Sequence, residues 1–136
     1  MHMPRSLYRI LSNRFPAVVW TIIIFILLAL PGNMLPNENH LTIPNLDKLV
    51  HVFLFGSFVF LWSFYFAAKK ENTNQLGSRF IRILILACSY GIAMEFVQKY
   101  FIPNRDFDIY DIIADITGAC AAFFVVRKMI GRWIGS

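Results

Sequence analysis

The chain has 136 residues, of which 57% are apolar and 15% charged, and its mean hydropathy is +0.57. A soluble domain would carry about a quarter of its residues as charged side chains, so this composition excludes an ordinary soluble protein. The net charge of +5 is carried by the segments that flank the apolar stretches, and it therefore does not indicate nucleic-acid binding.

Four apolar stretches account for the hydropathy. Each approaches the ~20 residues that a helix needs to cross the hydrocarbon core of a bilayer. The sequence therefore predicts an all-α membrane protein with four transmembrane helices, forming one domain over residues 1–136. The predicted spans cover residues 17–35, 49–68, 80–100 and 109–130.

The charged residues separate by side of the membrane. Lys and Arg in short loops mark the cytoplasmic face. This rule predicts that the chain lies in the cytoplasmic membrane with both termini on the cytoplasmic side. Only Lys48, Lys99 and Arg105 among the basic residues fall on the outer side, and only Glu71 among the acidic residues falls on the inner side. The basic residues of the inner side are Arg5, Arg9, Arg14, Lys69, Lys70, Arg79, Arg82, Arg127, Lys128 and Arg132.

Residues 1–15 are basic with interspersed apolar side chains, which predicts a short amphipathic helix on the inner membrane surface. Pro16 suits the first turn of the first span. A cleaved signal peptide is the alternative for this span, but LALPGNM lacks an A-x-A site and the apolar run is long, so we expect a retained anchor. Residues 31–46 form a predicted outer loop with three prolines, and KKENTNQLGSRF a predicted inner loop.

Spans three and four carry small residues that would let two helices approach closely in lipid. Their connection is short enough to require an antiparallel pair. We therefore expect a tight hairpin of these two helices at the structural centre. The small residues that lie four apart are Ala87 and Gly91, Ser89 and Ala93, and Gly118 and Ala122.

Carboxylates occur inside the apolar segments, where each costs about 2.5–3.5 kcal/mol to insert. Glu95 lies three residues before Gln98 near the outer end of span three. Asp108, Asp111 and Asp115 follow i, i+3, i+7 spacing at the outer end of span four, so they share one helix face. Antiparallel packing would bring Glu95 and Asp115 to similar depth.

Span two and the outer turn add further polar groups. Asp47 and His51 lie four residues apart on one face, with Lys48 beside them, and Arg105 lies in the turn before span four. Together with the carboxylates, these side chains predict a polar pocket that opens to the outer leaflet. Two carboxylates close together would provide an acid and a base at neutral pH, whereas Arg105 would clamp a phosphate or carboxylate.

Simpler interpretations remain for individual residues. Asp47 and Asp108 suit the N-terminus of a helix, where the dipole favours acids. Glu95 and Asp115 would pin the predicted hairpin if they formed ion pairs with Arg105 or Lys99. A metal held by the carboxylates and His51 is conceivable, but the spacing matches no metal motif. The sequence predicts no bound metal and no cofactor.

These residues together resemble the VanZ-like family of small bacterial membrane proteins over residues 17–130. The matching pieces are Asp47-Lys48-x-x-His51, Glu95-x-x-Gln98, Pro103-x-Arg105 and Asp111-x-x-x-Asp115-x-x-Gly118. The family pattern usually has Asn where this chain has Asp115. The resemblance implies a cell-envelope protein, and the name-giving member is linked to resistance to the glycopeptide teicoplanin.

From the residues and the resemblance together we expect a protein that binds an envelope lipid or a cell-wall precursor. Lys48 and Arg105 would hold an anionic headgroup in this arrangement. The alternative is a membrane-embedded hydrolase or transferase, in which Glu95, Asp115 or His51 acts as the general base. Expected partners are membrane lipids and a second copy of the chain or a larger membrane protein, and not nucleic acid. The expected ligand-binding residues are Asp47, Lys48, His51, Glu95, Gln98, Arg105, Asp111 and Asp115.

Overall fold

A computed structural model describes residues 5–34, 45–69 and 73–134, and all regular structure in these ranges is helical. The predicted all-α class is therefore confirmed for the described part of the chain. Residues 35–44 of the predicted outer loop and residues 70–72 of the predicted inner loop lie outside it. The helices are α1 (Arg5–Leu11), α2 (Arg14–Leu28), α3 (Leu46–Ala68), α4 (Thr73–Phe101) and α5 (Ile109–Ile134), with a 3-10 turn at Gly32–Met34.

Three of these helices, α3, α4 and α5, are long and apolar enough to cross a membrane. Helices α1 and α2 meet at a bend of 59°, so they add a fourth span only if the bent pair crosses as one unit. The multi-pass character is confirmed at this level. The count of four spans and the placement of both termini inside remain predictions.

Two predicted boundaries were wrong. The first span was expected to continue to residue 35, but α2 ends at Leu28, and the chain then turns so that Gly32 N donates to Pro103 O (3.1 Å). A side chain at Gly32 would collide with the backbone of Asn104. The inner loop is also shorter than predicted, since α4 begins at Thr73. The helix extends beyond the apolar part of its sequence into the headgroup region.

Helix α3 lies at the centre of the bundle and packs against α2, α4 and α5. Helices α4 and α5 are antiparallel neighbours as predicted, but the most extensive packing joins α5 to α3. Gly118 faces the backbone of Val52, and a Cβ added at Gly56 would lie 3.3 Å from Gly118 O. The predicted close contact of spans three and four occurs at Gly91, which faces Asp115, whereas Gly118 faces span two.

Small residues on α4 divide between the two sides of the helix. Ala87 and Gly91 are buried, whereas Ser89 and Ala93 are exposed, so only the first pair contributes to the packing inside the bundle. The core is aromatic and aliphatic, with Phe55 and Val59 fully buried. Phe53, Ile85, Leu86, Phe124 and Val125 are more than half exposed, as expected for side chains that face lipid.

Candidate ligand-binding site

Three helix termini meet at one end of the bundle: the beginning of α3, the end of α4 and the beginning of α5. Polar residues that are dispersed in the sequence are brought together there, because α3 and α5 run parallel and α4 runs antiparallel to both. We call the following seven residues the acidic cluster. They are Asp47, Lys48, His51, Glu95, Asp108, Asp111 and Asp115.

Lys48 links α3 to α5 through its ammonium group. Its Nζ lies 2.5 Å from Asp108 Oδ2 and 2.5 Å from Asp111 Oδ1. Asp47 Oδ2 lies 2.8 Å from the same nitrogen. Three carboxylates therefore surround one ammonium group, which has three protons to donate. This arrangement leaves Lys48 with little capacity to bind an additional anion.

His51 lies one turn deeper and contacts two aspartates of α5. Its Nδ1 is 2.8 Å from Asp115 Oδ1, and its Nε2 is 3.6 Å from Asp111 Oδ2. The first contact is a hydrogen bond that requires one proton between the two atoms. It fixes the orientation of the imidazole ring in the way that a carboxylate orients a catalytic or metal-binding histidine.

Asp115 is the most deeply placed carboxylate of α5, with 1% of its surface exposed. Its Oδ2 atom is buried and has no hydrogen-bond partner among the described residues. Gly91 of α4 leaves room for it, since a Cβ there would lie 2.6 Å from Asp115 Oδ2. A buried carboxylate oxygen without a partner is costly, and this oxygen is therefore a candidate for binding a proton or a ligand.

Asp108 serves two purposes at the start of α5. Its Oδ1 accepts a hydrogen bond from Tyr110 N (2.8 Å), as at the beginning of many helices, while its Oδ2 pairs with Lys48. The hydrogen bond from Lys48 holds the pKa of Asp108 below its usual value. Glu95 fixes the same turn from α4, because its Oε2 accepts a hydrogen bond from Asp108 N (2.9 Å).

Two of the predicted ligand-binding residues lie outside this network. Gln98 is buried and its Nε2 donates to Leu28 O (2.9 Å), so it satisfies a carbonyl at the end of α2. Arg105 is half-buried and forms no salt bridge with any described residue. The alternative ion pairs of Glu95 and Asp115 with Arg105 or Lys99 are absent from the described part. Instead, Asp115 Oδ1 contacts His51 Nδ1 and Glu95 Oε2 accepts a hydrogen bond from Asp108 N.

The acidic cluster is graded in exposure. His51, Glu95 and Asp115 are buried, whereas the side chains of Asp47 and Asp108 are 45% and 38% exposed. The acidic cluster thus has a buried interior of hydrogen-bonded side chains and an exposed rim of Asp47, Lys48 and Asp108, and the predicted pocket stays a prediction. Among the described residues, no three His, Cys, Asp or Glu side chains are arranged to hold a metal ion.

A family model described as VanZ/LLP1 matches residues 6–131 of the chain. The chain belongs to the VanZ/LLP1 family. The match covers nearly the whole chain, and it confirms the resemblance that the four sequence motifs indicated. No solved structure matches this VanZ/LLP1 chain.

A curated relative is "Uncharacterized protein C11E3.10" of Schizosaccharomyces pombe (strain 972 / ATCC 24843). It is 30% identical over 102 residues, which cover 75% of this chain and 59% of the relative. The VanZ/LLP1 chain therefore spans about three fifths of the length of that protein. The name of the relative states no activity.

Asp108 belongs to the acidic cluster, although it was not among the ligand-binding residues expected from the sequence. Its position before α5 indicated a helix cap, and the cap is present. Its salt bridge with Lys48 depends on how α3 and α5 pack. The i, i+3 spacing of Asp108 and Asp111 could have indicated this salt bridge, since it places both carboxylates on one helix face, where they can share a cationic partner.

Proposed function

We propose that this VanZ/LLP1 chain binds the headgroup of an envelope lipid or a lipid-linked cell-wall precursor at the acidic cluster. The observation that carries the proposal is the imbalance of charge. Five carboxylates adjoin one lysine and one histidine, at the end of a bundle whose sides are apolar. Buried charges need partners, so this end of the bundle favours an additional cationic group or additional protons.

This imbalance alters the expected role of Lys48. Its ammonium already contacts three carboxylates, so we assign it to organising the rim and not to holding an anion. Arg105 has no salt bridge in the described part and lies three residues before Asp108, where it is available to a phosphate. The ligand that fits best therefore carries a primary ammonium group close to a phosphate, as phosphoethanolamine lipids do.

A lipid of the membrane itself is favoured over a precursor found only in bacterial walls, because a relative of the chain occurs in a fission yeast. The test measures lipids bound to the purified full-length chain by native mass spectrometry. Phosphatidylethanolamine is compared with phosphatidylcholine, whose quaternary ammonium cannot donate hydrogen bonds. We expect phosphatidylethanolamine to bind about tenfold more tightly, which corresponds to one charge-assisted hydrogen bond.

The matched variants separate the acidic cluster from general surface charge. Asp108→Asn with Asp111→Asn removes two carboxylates and should abolish the preference for phosphatidylethanolamine. Asp106→Asn removes an exposed carboxylate outside the cluster and should leave the preference unchanged. Equal binding of both lipids by the unaltered chain, or equal effects of the two sets of variants, contradicts the proposal.

A second candidate function is catalysis on the same headgroup. The hydrogen bond between His51 and Asp115 favours it, because a carboxylate-oriented imidazole is a common general base. The burial of His51 opposes it, since a substrate must reach Nε2 for the base to act. Lipid mass spectrometry of cells with and without the protein distinguishes the two functions. An altered lipid that depends on the unaltered chain and disappears with Glu95→Gln indicates an enzyme.

We also propose a role in teicoplanin resistance, which follows from the family resemblance. Headgroup binding at the outer face would alter the envelope surface that the antibiotic reaches. The test is the inhibitory concentration of teicoplanin for cells that express the unaltered chain or the Asp108→Asn, Asp111→Asn variant. Higher tolerance that needs the two aspartates supports this role, and unchanged tolerance removes it.

A further inference from the structure

A second polar feature lies at the opposite, basic end of the bundle, where α1 bends away from α2. The bend is fixed by two contacts. Asn13 Oδ1 accepts a hydrogen bond from Phe15 N (3.0 Å), which caps α2. The Tyr8 ring meets the Phe64 ring of α3 edge-on, with centroids 6.1 Å apart. Helix α1 is therefore held against α3, and the space between them has a defined shape.

This space is a cleft of about 370 Å³ that contains three basic side chains. All described carboxylates lie in the acidic cluster or in the turn before α5, so none in the described part forms a salt bridge with Arg9, Arg14 or Lys69. Lys69 Nζ lies 5.0 Å from the centre of the Tyr65 ring. The residues that line the cleft are Arg9, Ser12, Asn13, Arg14, Tyr65 and Lys69.

An apolar groove of about 720 Å³ adjoins the cleft, and the two share Asn13, Arg14 and Tyr65. The remaining wall is formed by Phe15 and Val18 of α2 and by two aromatic residues of α3, Trp62 and Phe66. Trp62 is held in place, because its Nε1 donates to Thr21 Oγ1 (3.1 Å). The groove therefore leads from a cationic cleft along the apolar side of the bundle.

We propose that the cleft and groove bind one anionic phospholipid of the surrounding membrane. The phosphate contacts Arg9, Arg14 and Lys69, and an acyl chain follows the groove past Val18 and Trp62. Three cations that have no carboxylate partner among the described residues select a net negative headgroup, since each basic residue near a membrane surface attracts anionic lipid. The adjoining groove selects a lipid over a soluble phosphate, because an acyl chain can cover its apolar walls and a soluble phosphate cannot.

The test titrates the purified, delipidated full-length chain with phosphatidylglycerol, phosphatidylcholine and glycerol phosphate, and counts bound molecules by native mass spectrometry. We expect phosphatidylglycerol to bind at least about tenfold more tightly than either alternative. The triple variant Arg9→Gln, Arg14→Gln, Lys69→Gln should lose at least about tenfold in affinity for phosphatidylglycerol. Arg14→Gln alone serves if the triple variant does not fold, and should lose about fivefold.

The control variant is Arg5→Gln, Arg82→Gln, Lys128→Gln. It removes the same charge from exposed positions that line neither the cleft nor the groove, so its affinity should change by less than about twofold. Val18→Trp fills the groove and should weaken phosphatidylglycerol binding while leaving glycerol phosphate unaffected. Equal losses in both triple variants, or glycerol phosphate binding as tight as that of the lipid, overturns the proposal.

Discussion

His51 Nδ1 lies 2.8 Å from Asp115 Oδ1, and both side chains are buried. The pair joins α3 to α5 below the rim that Lys48 organises. Beside this contact, Asp115 Oδ2 has no hydrogen-bond partner among the described residues. The second candidate function uses Asp115 to orient the His51 imidazole, whereas the fold requires only that His51 keeps a hydrogen-bond acceptor. Substitutions at Asp115 test the structural requirement.

Asp115→Asn should fold normally, because its amide oxygen still accepts a hydrogen bond from His51 Nδ1–H. Asp115→Leu leaves the buried imidazole without that partner and should lower the free energy of unfolding by about 1–3 kcal/mol. The measurement is unfolding of both variants in mixed micelles. A leucine variant that is as stable as the asparagine variant contradicts a structural role for the hydrogen bond.

Lys48→Met should destabilise the contact between α3 and α5 by about 1–3 kcal/mol, because three carboxylates lose their shared partner at a partly exposed site. Asp111→Asn in the same chain should recover part of this loss. A double-mutant cycle should give a coupling of about 0.5–3 kcal/mol. Lys99→Met is the control, since Lys99 stacks on Tyr100 and Phe107 and forms no salt bridge in the described ranges. Strict additivity at Lys48 and Asp111 contradicts the ion pair.

The ion pair of Asp108 should make the free energy of unfolding depend on pH in the acid range. Its pKa is lowered in the folded chain from an ordinary value of 3.8 by the hydrogen bond from Lys48. A lowered pKa means that the contribution to stability is fully present above pH 3.8 and is lost as the pH falls through the lower folded value. Asp108→Asn keeps the helix cap but cannot titrate, so its stability should fall less steeply below pH 4.

The check is a pair of unfolding curves recorded between about pH 2 and pH 6. The difference between the unaltered chain and Asp108→Asn should be constant above pH 4 and shrink below it. Asp106→Asn provides the control, because Asp106 is exposed and has no salt bridge in the described residues. A difference that is constant over the whole range contradicts the ion pair of Asp108.

The sequence predicted the helical class and the residues of the acidic cluster other than Asp108, because both depend on local patterns. Apolar length gives the helices, and carboxylates at i, i+3 and i+7 must share a face. The family resemblance added the order of the motifs. What could not be predicted was which helix each face meets. Lys48 was expected to hold an anion, but the parallel packing of α3 and α5 brings it between three carboxylates.

For the same reason, the sequence did not predict that Gly118 packs against span two. Gly118 and Ala122 indicated close approach, but small residues do not specify their partner helix. The partner of Gln98 could not be predicted either. Its amide donates to Leu28 O, which lies at the end of α2 and is 70 residues away in sequence. Such contacts follow from the arrangement of helices, and the spacing of residues within one helix does not contain that information.

Gly118 provides a test of the packing between α3 and α5. A methyl group at this position would collide with the backbone of Val52, which cannot move as a flexible side chain does. Gly118→Ala should therefore lower the free energy of unfolding by about 1–3 kcal/mol, although alanine favours a helix over glycine by about 1 kcal/mol. Gly77→Ala is the matched control, because a Cβ there meets nothing within 4 Å, and it should be neutral or stabilising. If Gly118→Ala is as stable as Gly77→Ala, α5 does not approach α3 as closely as described.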